Sequence, residues 1–73
     1  MDRLTWKVDP KHTNIVSGFL GNVECVVATK MRGIHYNFTV MLPPITDFNC
    51  GQELGMRRSE ILVEEWLNNA KLI

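Results

Sequence analysis

The chain has no surplus charge of either sign. Its 73 residues carry eight basic and eight acidic side chains, a formal net charge of zero. That balance is poor material for gripping a polyanion, because phosphate binding draws on surplus Lys and Arg. Long apolar runs are absent as well: nothing approaches the roughly 18 residues a membrane span needs. The start, Met1-Asp2-Arg3-Leu4-Thr5-Trp6, has no basic patch followed by an apolar stretch, so no secretory signal is expected. With its initiator Met, the chain is expected to be a complete small product that stays in the cytoplasm. Cysteine is scarce. A secreted domain of this size normally carries four or more, so Cys25 and Cys50 are expected to be free thiols. No repeat and no low-complexity tract breaks the pattern. The apolar fraction of 45% is ordinary for a globular protein and too high for a disordered one. The length allows one domain, residues 1–73, with a thin core.

The first half of the chain alternates with period two, the signature of half-buried strands. Leu4, Trp6 and Val8 fall on one side of an extended segment over 4–8, which Asp9-Pro10 breaks. A second strand is expected over 15–20, where Gly18 signals a bulge or a close backbone approach. Gly21-Asn22 is a two-residue hairpin signal, since both residues tolerate positive φ. The third strand, 23–31, places Val23, Cys25, Val27 and Thr29 on one face. Arg32-Gly33 turns the chain into a fourth strand, 34–42, with Ile34, Tyr36, Phe38, Val40 and Leu42 inward and His35, Asn37, Thr39 and Met41 outward. Pro43-Pro44 ends it, because proline donates nothing to a ladder. From 43 to 58 the turn-forming Asp47, Asn49, Gly51 and Gly55 predict a long loop, a kind that in compact domains leans towards function or disorder. The period then becomes helical over 59–72. Ser59 is the expected N-cap and Glu60 sits in the first turn. Leu62, Val63, Trp66, Leu67, Ala70 and Ile73 share one arc opposite Glu60, Glu64, Asn68 and Lys71.

The expected fold class is α+β: an antiparallel meander of three to four strands with one C-terminal helix packed on one face. Trp6, Tyr36, Phe38 and Trp66 are expected to meet in its core. This layout, a Trp-containing strand opening a meander that a helix closes, resembles the small β-β-β-α proteins common in phage and prophage genomes. It is also similar to other sheet-plus-helix modules, the double-stranded-RNA-binding-like and integrase arm-type folds. The phage-type resemblance implies a small accessory protein that binds and modulates a host or phage factor, such as a defence inhibitor in the host cytoplasm. It covers most of the chain and transfers no functional residue.

Several chemistries can be weighed on spacing. His12, His35, Cys25 and Cys50 include no pair at the short spacing of structural zinc sites, so no metal and no cofactor is expected. Cys50 before Gly51 could serve a Cys–His nucleophile, but no local base accompanies it, and the Glu64-Glu65 pair reads as solubilising charge. The chain is therefore expected not to be an enzyme. A nucleic-acid reading would use Lys7, Lys30, Arg32, Arg57 and Arg58, with the arginine pair just ahead of the helix N-terminus. The zero net charge disfavours it.

The remaining feature is the sheet face turned away from the helix. Glu24, Val26, Ala28 and Lys30 on the third strand are expected to share it with His35, Asn37, Thr39 and Met41 on the fourth. An apolar centre with a polar rim is the anatomy of a protein interface. The leading expectation is thus a non-enzymatic protein that binds and modulates or inhibits another protein. A homodimer joined face to face, or edge to edge, would use the same surface.

Overall fold

Alternation of apolar and polar side chains persists through five strands in the computed structural model, which describes residues 4–70, without the side chain of Ala70. The strands are β1 (Thr5–Val8), β2 (Ile15–Leu20), β3 (Val23–Lys30), β4 (His35–Val40) and β5 (Thr46–Gly51), and the helix α1 runs over Gln52–Ala70. They form one antiparallel sheet in the order β1-β2-β3-β4-β5, a continuous meander. The expected helix end at Leu72, with Arg3, Lys71 and Ile73, lies outside the described residues.

The α+β class holds, but the strand count is five, where three to four were expected. The segment read as loop is strand and helix. Thr46 to Gly51 pairs with β4 along its whole length, from Val40↔Thr46 to His35↔Gly51. Asp47 and Asn49 are turn formers by propensity, yet here they occupy the solvent-facing positions of an edge strand while Phe48 and Cys50 face the helix. Packing of alternate positions overrides propensity in such strands. The helix follows β5 without a linker. Its first turn holds Glu53, which suits the positive end of the helix dipole.

Ser59 is accordingly no cap. It is fully buried in mid-helix, and its Oγ donates to the Gly55 carbonyl at 2.8 Å, the local bond that satisfies a serine inside a helix. Gly55, Ser59 and Val63 recur every fourth residue and make a narrow ridge that lets α1 lie close on the sheet. Phe38 sits under Gly55, and a Cβ there would run into its ring. The same ring stacks on Phe48 with centroids 5.3 Å apart and planes 6° from parallel, and takes the Trp6 ring edge-on at 6.5 Å. Trp6 in turn lies over Gly18, its partner across the β1–β2 ladder, so the missing side chain makes room for the indole. These contacts, with Leu4, Val16, Cys25, Val26, Ala28, Val40 and Val63, form the core.

Trp6, Tyr36 and Phe38 meet there as expected, and Trp66 does not. It is 37% exposed and lies with Leu62 and Glu65 along an open groove against Leu42, Pro43 and Pro44. Seven residues, or two turns, beyond the buried Ser59, Trp66 stays on the same side of α1, but there it meets the β4–β5 connection, where Leu42, Pro43 and Pro44 leave an open groove. Val8, expected on the side of Leu4 and Trp6, is exposed at the end of β1, and Ile34, expected on the inner face, is exposed in the turn before β4.

Candidate functional face of the sheet

One face of the sheet carries α1 and the other is open. Which residues stand on the open face follows from the ladders. On β4, His35, Asn37 and Thr39 alternate with the inward Tyr36, Phe38 and Val40, as expected; Met41, half-buried, follows the last residue of the strand. On β3 the expectation is inverted. Val26 pairs with Val40 and Ala28 with Phe38, so both face the helix and are 0% and 2% exposed. Lys30, opposite Tyr36, also belongs to the helix side. The open face takes Val27 and Thr29 instead, opposite Thr39 and Asn37.

The cause is an irregularity between β2 and β3. The Gly21-Asn22 turn sets Leu20↔Val23 and Phe19↔Glu24, and then Gly18 pairs with Val26, leaving Cys25 as an extra residue. Two residues therefore oppose one, a β-bulge. Both Cys25 and Val26 end up buried, and every residue beyond them changes face. The Cys25 carbonyl, free of the β2 ladder at this point, accepts the Met41 N–H at 2.8 Å. Glu24, before the bulge, keeps its expected outward place opposite Phe19.

Two long rows of side chains cross this face. Lys7, Ser17, Val27, Thr39 and Asp47 form one across all five strands, and Ile15, Thr29, Asn37 and Asn49 the other. The centre of the face is free of ionisable groups. Among the described residues its four ionisable side chains stand one on each side: Lys7 on edge strand β1, Asp47 on edge strand β5, Glu24 at the β2–β3 turn and His35 at the β3–β4 turn. Lys7 and Asp47 close one row about 19 Å apart, four inter-strand spacings. Lys7 Nζ lies 5.4 Å from the centre of the Phe19 ring, which folds the cation back over the apolar part of the face. The residues missed from sequence, Ile15, Ser17, Phe19, Val27, Thr29, Asp47 and Asn49, became assignable only with the bulge and with β5.

The basic residues of the nucleic-acid reading do not come together. Lys7 is on the open face, while Lys30 lies on the helix side near Tyr36, Gln52 and Glu53. Arg32 is in the β3–β4 turn. Arg57 and Arg58 lie inside α1, beyond the amides of its first turn, and Arg58 sits over Phe48 at 5.1 Å. Cys25 and Cys50 are both free, the second on β5 and not in a loop. Among the described residues no three of His, Cys, Asp and Glu converge as metal ligands, and no helix is long and apolar enough to cross a membrane.

Fold and face together define a small α+β protein with a single-sided antiparallel sheet. No family model, no curated protein and no solved structure matches the chain.

Proposed function

We propose that the protein is a binding module that lays its open sheet face against another protein, with no chemistry of its own. One observation carries this reading: the centre of that face is uncharged and its ionisable residues surround it. Depletion of charge at the middle and polarity at the rim is how protein interfaces are organised, since a buried unpaired charge is costly and a rim charge steers the approach. Val27 supplies apolar area at the centre, and Ser17, Thr29, Asn37 and Thr39 supply hydrogen-bonding groups around it. Of the residues first expected to touch a partner, Glu24, His35, Asn37, Thr39 and Met41 stay in the proposal, and Val26, Ala28 and Lys30 leave it. The accessory, inhibitor-like role of a phage-type protein is part of the proposal and rests on element order alone. Inhibition would be steric, a rigid sheet occupying a partner's surface.

The test is capture by tagged wild-type protein compared with Val27→Lys and Met41→Glu, with nuclease and moderate salt in parallel samples. The expected outcome is a protein band that resists nuclease and salt and is lost with either variant, while both variants keep wild-type circular dichroism. A band retained by both folded variants would remove the sheet face from consideration. Loss on nuclease treatment would turn the reading to nucleic acid, where affinity falls steeply with salt.

A further inference from the structure

The outward side of α1 has a pattern that neither the core nor the open sheet face uses. Leu54 and Ile61 stand seven residues, two helical turns, apart on the side away from the sheet, and are 66% and 52% exposed. Around Ile61 the charges are arranged with opposite sign at equal distance. Arg57 and Arg58 precede it by four and three residues; Glu64 and Glu65 follow it by three and four. At about 100° per residue, Arg57 and Glu64 lie on one flank of the Leu54–Ile61 stripe and Arg58 and Glu65 on the other.

We propose that this face of α1 is the seam of a homodimer in which a second copy of the chain packs its own α1 antiparallel, with Ile61 on the two-fold axis. A two-fold interface must be complementary to itself, so that whatever residue i meets on the partner, the partner's residue i meets here. The α1 face meets that condition. Arg57 stands about 6 Å from Ile61 along the axis and Glu64 about 4.5 Å on the other side, from a rise of about 1.5 Å per residue. Reversing one helix brings these heights nearly level on the same flank, and Arg58 and Glu65 do the same on the other. Two-fold symmetry makes four Arg–Glu pairs around an Ile61–Ile61 contact. A parallel partner would set arginine against arginine and glutamate against glutamate, so charge selects the antiparallel arrangement. The open sheet face stays free, so the dimer would carry two copies of the surface proposed to bind a partner.

Sedimentation equilibrium over a concentration series tests the seam. Wild-type protein is expected to reach twice the 8.4-kDa chain mass. Arg57→Glu/Arg58→Glu and Glu64→Arg/Glu65→Arg are each expected to weaken self-association at least tenfold. An equimolar mixture of the two should regain the dimer mass, because each then meets its complement. Ile61→Asp provides a variant independent of the charge pairs and is expected to be monomeric with unchanged circular dichroism. Wild-type protein that is monomeric throughout, double variants that still dimerise, or a mixture that stays monomeric would each overturn the proposal. Val27→Lys is expected to dimerise like wild type, which separates failure of this seam from failure of the sheet-face reading.

Discussion

The two faces of one sheet share the same strands and differ in almost everything else. On the helix side, Phe38 is surrounded by Trp6, Tyr36, Phe48 and the backbone of Gly55, and the fully buried Ser59 is satisfied within its own helix. On the open side the same ladders present Ser17, Thr29, Asn37, Thr39 and Asn49, with Val27 among them. A period of two lets adjacent residues face opposite environments, so a substitution and its neighbour one position on should have unrelated consequences. The buried side specifies the fold through shape, and the open side is the one proposed to meet a partner.

Substitutions can break that contrast or sharpen it. The largest effect is expected at Phe38→Ala, which removes the ring on which three other aromatics and α1 rest. A loss of about 3–5 kcal/mol is expected in urea denaturation, most of the stability of so small a domain. Gly55→Ala comes next and has an informative sign. Helix propensity alone predicts a gain of about 1 kcal/mol, whereas the clash with Phe38 predicts a net loss of roughly 1–3 kcal/mol. A more stable variant would mean that α1 does not lie this close to the sheet. Val26→Thr is expected to cost about 1–3 kcal/mol by burying a hydroxyl in the core. Trp66→Ala should cost only about 1 kcal/mol, since the indole lines an open groove at the edge of the core; a chemical melt showing core-like destabilisation would place it inside. Val27→Thr, one residue from Val26, is expected to change stability by less than about 0.5 kcal/mol. Equal costs at Val26 and Val27 would contradict the bulge at Cys25.

The sequence was most legible where local signals and burial agree. Period-two alternation located the first four strands, Gly21-Asn22 located the hairpin, and Gly18 announced the close approach that Trp6 makes. The positive φ at Gly21 and Gly33 belongs to the two turns expected there. Legibility failed in two places for different reasons. Over 46–58, Asp47, Asn49, Gly51 and Gly55 each favour turns when taken singly, and only β4 on one side and Phe38 below make a strand and a glycine-containing helix the better use of them. On β3, the two flanking turns imply opposite faces. Counting from Gly21-Asn22 sends Cys25 and Val27 inward, and counting from Tyr36 across the next turn sends Ala28 and Val26 inward. One extra residue reconciles them, and the bulge at Cys25 is that residue.

The candidate site inherits that ambiguity. Asn37 and Thr39 were readable because β4 carries no irregularity, while their neighbours on β3 were displaced by one. By itself the amino-acid sequence determined the α+β class, the antiparallel meander, the C-terminal helix and the aromatic centre, because period, turn chemistry and apolar content are properties of short stretches. The tertiary structure alone decided where the bulge falls, that β5 exists, that α1 starts at Gln52, and which β3 residues face outward. Those outcomes depend on pairing across the sheet and on packing of helix against sheet, such as Gly55 on Phe38, which the propensities of single stretches do not carry.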